Sequence, residues 1–260
     1  MTLTYSAYLK LDQLLALQQP LSRPEEHDEL LFVVIHQVHE LWFKLLLHEL
    51  EKARADLKAG AIYESLATFK RARTVLKTVV GQVDILETLT PLSFNSFRDR
   101  LETSSGFQSA QFRELEFLLG YKRAELVKPH ESNPADHARL EARLREPTLV
   151  DAFYDFLAHH GAKLPGRVRN RDLTQASAPD EEVQKELLAL YKNRPDLRLL
   201  FELMADLDEG FQEWRYRHIK LVERTIGNKR GTGGSSGVDF LKRSLFLPMF
   251  PDLWAIRQQL

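Results

Sequence analysis

The sequence contains no cysteine. Disulfides, thiolate nucleophiles, cysteine-based zinc sites and iron–sulfur clusters are therefore excluded. Charge of one sign is also lacking: 36 Lys and Arg face 37 Asp and Glu, a net charge of −1. Nothing in that balance points to nucleic acid or to an anionic membrane. No basic segment leading into an unbroken apolar stretch opens the chain, so no signal peptide is expected and a cytoplasmic location is. The most apolar run, residues 30–47, is interrupted by His36, His39, Glu40 and Lys44. It is too polar for a membrane span and reads as a buried core helix.

Glycine is scarce and unevenly placed. Five of the 12 fall between Gly227 and Gly237, in GNKRGTGGSSG. Glycine weakens helices because it loses the most backbone freedom on folding. A chain that concentrates it in one run needs unusual backbone there, or close approach of a ligand. Thr232, Ser235 and Ser236 add hydroxyl groups to the same run. The run reads as a ligand cradle.

With glycine rare elsewhere and apolar residues recurring at 3.6-residue spacing, helix is expected almost throughout. At 260 residues, 43% hydrophobic and 28% charged, the chain suits one large soluble core. The expected fold is all-α, a single helical domain over residues 1–260. Helices are expected over residues 6–18, 23–58, 62–88, 90–101, 108–119 and 194–226, with one or two over 134–160 interrupted at Pro147. Ser22 and Glu25 fit a capping box with Pro24 in the first turn, and Asn193 and Asp196 fit a later cap. Residues 161–180, rich in Pro, Gly, Ser and charge, read as a surface loop. After the glycine run, Ser236 and Asp239 fit a further cap for a helix reaching Phe246, and a last helix follows Pro251.

Two histidines draw attention. His218 shares a helix face with Phe211, Trp214, Leu221, Val222 and Ile226. It reads either as a core histidine with one hydrogen bond or as a metal or haem ligand, the usual role for imidazole where cysteine is missing. His36 lies among Phe32, Val33, His39, Glu40 and Phe43 at helical spacing. It reads either as part of a polar stripe between helices or as a histidine facing a cavity. Arg98 follows Phe94 by one turn, so a guanidinium and an aromatic ring face the same way, and arginine captures carboxylates bidentately. Tyr5, Tyr8 and Leu9 form an apolar cluster at the N-terminus that suits packing on its own core or on a neighbouring subunit.

Four long segments carry a resemblance: TYSAYLKLDQLL, HDELLFVVIHQVHELWFK, LTPLSFNSFRDRLETSSGFQSAQFRELEFLLG and FQEWRYRHIKLVERTIGNKRGTGGSSGVDFL. In order and spacing the chain resembles the tryptophan 2,3-dioxygenase family, haem enzymes that open the indole ring of L-tryptophan. The resemblance implies an all-helical homotetramer with one haem b per subunit, ferrous when active, acting on L-tryptophan and O2. It implies that His218, in WRYRH, is the axial haem ligand and that His36, in VVIHQ, meets the indole N–H. Phe32 would pack on the indole, Arg98 would bind the substrate carboxylate, and Thr232 would contact its amino-acid end. Leu101, Ser105 and Gly106 would line the pocket near the haem. Phe94 stands where some members carry tyrosine, which leaves Arg98 more of the carboxylate contact. Tyr5, Tyr8 and Leu9 would enter a neighbouring subunit's pocket, with residues 1–20 docking there. His39 corresponds to no family site and is read as structural. The product would be N-formyl-L-kynurenine, the first step of tryptophan catabolism. The alternative is a non-catalytic haem protein sensing O2 or an indole ligand. The retained Arg98, Thr232 and His36 argue against it, because a sensor needs no amino-acid clamp.

Overall fold

The computed structural model describes residues 2–227, 229 and 237–260. Among them the secondary structure is helical, with no strand. The all-α expectation holds.

The N-terminal segment forms two short helices, α1 (Tyr5–Leu9) and α2 (Leu11–Leu14), in place of the single helix expected over 6–18. Lys10 between them adopts a left-handed conformation at φ 52°, which breaks the run. α3 (His27–Lys58) begins later than expected. A residue before proline is disfavoured in helical conformation, so Arg23 cannot join a helix ahead of Pro24. The capping role assigned to Glu25 falls to Glu29. Its carboxylate accepts the backbone N–H groups of Leu21 and Ser22, at 2.7 and 2.9 Å, and the Ser22 hydroxyl. Burial raises the Glu29 pKa, but those hydrogen bonds outweigh it and hold the carboxyl below its ordinary range.

α3 turns at Gly60, whose φ of +71° suits glycine, into α4 (Ile62–Gly81). The helix expected over 62–88 is divided near Gln82, and α5 (Val83–Leu86) follows. α6 (Pro91–Phe97) opens on a Thr90 cap and tightens into a 3-10 turn, Arg98–Leu101. After a second turn at Gly106–Gln108 comes α7 (Ala110–Leu118). α8 (Pro134–Arg145) and α9 (Leu149–His159) meet at Pro147, with Thr148 and Asp151 forming a capping box. The loop beyond contains one short helix, α10 (Gly166–Arg169). α11 (Glu181–Asn193) was not evident from the sequence, and Asn193 ends it instead of capping its successor. α12 (Pro195–Ile226) opens on its own proline. α13 (Val238–Lys242) is shorter than expected, and α14 (Pro251–Ala255) closes the chain.

α12 packs along α4, and α3 packs against α4, α7 and α9. The largest apolar cluster lies between them, with Leu46, Leu50, Phe69, Phe156, Phe201 and Met204 fully buried. By length and apolarity alone α3 would cross a bilayer. Its second half is instead enclosed, with Phe43, Leu46, Leu50, Ala53 and Leu57 buried. Its first half departs from the expected buried helix: Leu30, Val34 and Leu41 are exposed. Asp208 of α12 fastens the C-terminal segment, accepting the Met249 and Phe250 backbone N–H groups and the Trp254 indole N–H at 2.9–3.0 Å.

Candidate active site

The first half of α3, the α6 turn, the 104–109 segment and the last turns of α12 surround a cavity of about 280 Å³. The separate candidates from the sequence meet there. Phe32 and His36 come from α3, Phe94, Arg98 and Leu101 from α6 and its turn, Ser105 and Gly106 from the next turn, and His218 from α12.

His36 Nδ1 lies 2.7 Å from the Phe32 carbonyl oxygen. A carbonyl only accepts, so Nδ1 carries the proton and Nε2 of the neutral ring is an acceptor. The Phe32 and His36 rings lie 4.0 Å apart. Burial lowers the His36 pKa below its ordinary 6.5, against the opposing pull of the Phe32 bond. The ring is neutral at neutral pH. Phe32, Phe94 and Phe97 form a three-ring cluster with centroids 5.5–5.7 Å apart, which fixes the wall beside Arg98.

His218 lines the same cavity. Its ring stacks on Trp214, one turn earlier, with centroids 5.0 Å apart and planes 10° from parallel. Burial, then the proximity of His36 and His39, pushes its pKa down to about 4. Among the described residues its imidazole makes no hydrogen bond, unlike the core histidine one reading allowed. Gly106 lines the same cavity, and a Cβ built on it would meet no atom within 4 Å.

Over its whole length the chain matches the family model for tryptophan 2,3-dioxygenase, in segments 1–201 and 190–260. It is 53% identical to the tryptophan 2,3-dioxygenase of Herpetosiphon aurantiacus, covering 99% of this chain and 98% of that protein. It is 51% identical to that of Anaeromyxobacter sp. (strain K), over 98% and 95%, and 43% identical to that of Xanthomonas campestris pv. campestris, over 98% and 87%. The chain belongs to the tryptophan 2,3-dioxygenase family.

Some candidates from the family resemblance are not among the cavity residues. Thr232 lies outside the described residues, as does the glycine run apart from Gly227, Lys229 and Gly237. Gly237 does line the cavity. Tyr5, Tyr8 and Leu9 are exposed on α1, which buries no residue, and they do not reach their own cavity.

Other cavity residues escaped the sequence reading. His39, read as structural, lines the cavity while donating from Nδ1 to the Ile35 carbonyl at 2.8 Å. Arg113, Glu116, Arg123 and Arg215 form an ionic cluster on the cavity wall. The i, i+3 spacing of Arg113 and Glu116 was visible, but the remaining arginines come from a loop and from α12. Only the fold brings them together.

Proposed function

We propose that this chain is a haem-dependent tryptophan 2,3-dioxygenase that places both atoms of O2 across the indole C2–C3 bond of L-tryptophan, giving N-formyl-L-kynurenine. The observation that carries this reading is the pair of neutral imidazoles, His36 and His218, lining one cavity. His218 supports a haem there because it is neutral, half-buried on the cavity wall and, among the described residues, without a hydrogen-bond partner, the state in which an imidazole would hold iron. His218 would hold a haem b, which when bound with ferrous iron would supply the activation of O2.

The protein's own work is positioning. His36 Nε2 accepts the indole N–H and sets the ring's height and rotation. A neutral imidazole is too weak a base to remove that proton fully at neutral pH, so His36 orients the substrate. Phe32 packs on the indole, Phe94 backs Phe32 beside Arg98, and Leu101, Ser105 and Gly106 border the pocket. Arg98 pairs with the substrate carboxylate, and Thr232 contacts its amino-acid end. Such orientation is worth up to ~7–11 kcal/mol in the best intramolecular cases.

The same reading makes the protein a cytoplasmic homotetramer of one-domain subunits. Exposed Leu30, Val34 and Leu41 on α3, with Tyr5, Tyr8 and Leu9 on α1, supply apolar surface for subunit contact. Tyr5, Tyr8 and Leu9 enter a neighbour's pocket.

The test is the absorption spectrum of the purified ferrous protein, with and without L-tryptophan under O2, alongside assay for N-formylkynurenine. Spectral change on tryptophan addition with product formation is expected. Haem binding with no product would favour the sensor, and a protein that takes up no haem would overturn the reading.

A further inference from the structure

Arg113 has more hydrogen-bonding capacity than its neighbours use. One Nη donates to Glu116, while Nε, buried, and the second Nη bond to no described residue. The side chain is 6% exposed. Its guanidinium lies 5.4 Å from the Phe107 ring and 5.9 Å from that of Phe112. Phe112 in turn lies 4.6 Å from Trp214, the ring on which His218 stacks. Arg113 and the candidate axial histidine are thus joined through one continuous aromatic wall of the cavity.

Charge points the same way. Glu116, 4% exposed, meets the guanidiniums of Arg113, Arg123 and Arg215. Burial raises the Glu116 pKa, but the three arginines outweigh it and keep the carboxylate ionised. The other carboxylate near Arg215, Asp208, is already bonded to Met249, Phe250 and Trp254. A buried excess of positive charge is costly unless an anion meets it.

We propose that Arg113, braced by Glu116, binds a propionate carboxylate of the haem. The assignment rests on the haem reading of the site given above. Glu116 takes one Nη and burial closes off Nε, which leaves the second Nη to donate a charge-assisted hydrogen bond to the carboxylate. Arg123 and Arg215 keep Glu116 from neutralising Arg113 completely. Arg113 acts on retention and tilt of the cofactor and touches no reacting atom.

The experiment measures haem loss from the holoprotein to excess apomyoglobin, and reconstitution with haem or with haem dimethyl ester, whose carboxylates are blocked. Losing a charge-assisted pair is expected to speed haem loss from Arg113→Leu roughly 10–150-fold, with Arg113→Lys between. Wild-type protein is expected to hold the ester more weakly than haem by a similar factor, and Arg113→Leu to hold both alike. The wild-type ester comparison needs no substitution, so a variant that fails to fold leaves the test intact. Equal retention of haem and ester by wild type overturns the proposal, as does discrimination that survives in Arg113→Leu. If the carboxylate were the substrate's, haem and ester would be retained alike while Arg113→Leu weakened tryptophan binding, which also overturns it. Failure of the haem reading looks different: no haem would be retained, or loss of His218 would leave its spectrum unchanged.

Discussion

The imidazole of His218 lies nearly parallel to the indole of Trp214, 5.0 Å away. Both belong to the last turns of α12, so the histidine's orientation is set by its own helix and by a ring packed against Phe43 and Phe112.

His218→Ala is expected to remove stable haem loading, with partial recovery when free imidazole is supplied. Haem content and the ferrous spectrum are the measurements. Normal values for both would exclude His218 as the axial ligand.

The haem-free protein should show a pH dependence with a definite sign. The pKa of His218 falls from 6.5 to about 4 on folding. Between those values the unfolded chain binds a proton that the folded chain refuses, so stability falls as pH drops through that window. Above 6.5 the contribution is complete. Thermal unfolding from pH 4 to 8 should slope in this sense, and His218→Gln should flatten the curve. His36 and His39, also lowered by burial, add slope of the same sign.

Arg98→Leu should reduce kcat/KM for L-tryptophan roughly 10–150-fold, the loss of one charge-assisted hydrogen bond. Haem content should be unchanged. Tryptamine, which lacks the carboxylate, should distinguish wild type from variant far less than tryptophan does. Unchanged efficiency toward tryptophan would place the clamp on another residue.

His36→Ala should lower activity and leave it measurable. The variant should treat tryptophan and 1-methyltryptophan more alike, because its missing acceptor no longer tells them apart. Activity at background with haem and substrate binding intact would instead mark His36 as an obligatory base.

Removing residues 1–9 should raise KM for tryptophan and weaken the assembly while haem stays bound. Mixing this variant with Arg98→Leu should restore some activity, since some pockets would combine an intact Arg98 with a donated arm. Confirmed subunit exchange with no recovery would mean that the arm serves its own subunit.

The parts of the fold that were legible in the sequence are those governed by local pattern. α4, α7 and α12 follow from apolar spacing, and the break at Pro147 follows from proline chemistry. What stayed hidden depends on distant partners. Glu29 replaced Glu25 as the partner of Ser22 because the chain ahead of Pro24 folds back onto the first turn of α3. α11 was not legible because it buries only Val183 and Leu187, one turn apart, too short an apolar face to mark a helix by itself. In the site, His36, Arg98 and His218 were found because their motifs are local. The Arg113 cluster was not, because its members come from α7, a loop and α12, and nothing in any one segment announces that their charges meet.

The exposed first half of α3 has one more implication. Leu30, Val34 and Leu41 face outward on the helix whose Phe32 and His36 face the cavity. The bond that orients His36 is made to a backbone carbonyl of that same helix, so the imidazole travels with the rod. A partner that packed on Leu30, Val34 and Leu41 would therefore also hold the histidine proposed to meet the indole. On the proposed assembly, a diluted, separated subunit would lose both that support and the Tyr5, Tyr8 and Leu9 donated by its neighbour, so pocket geometry would depend on protein concentration.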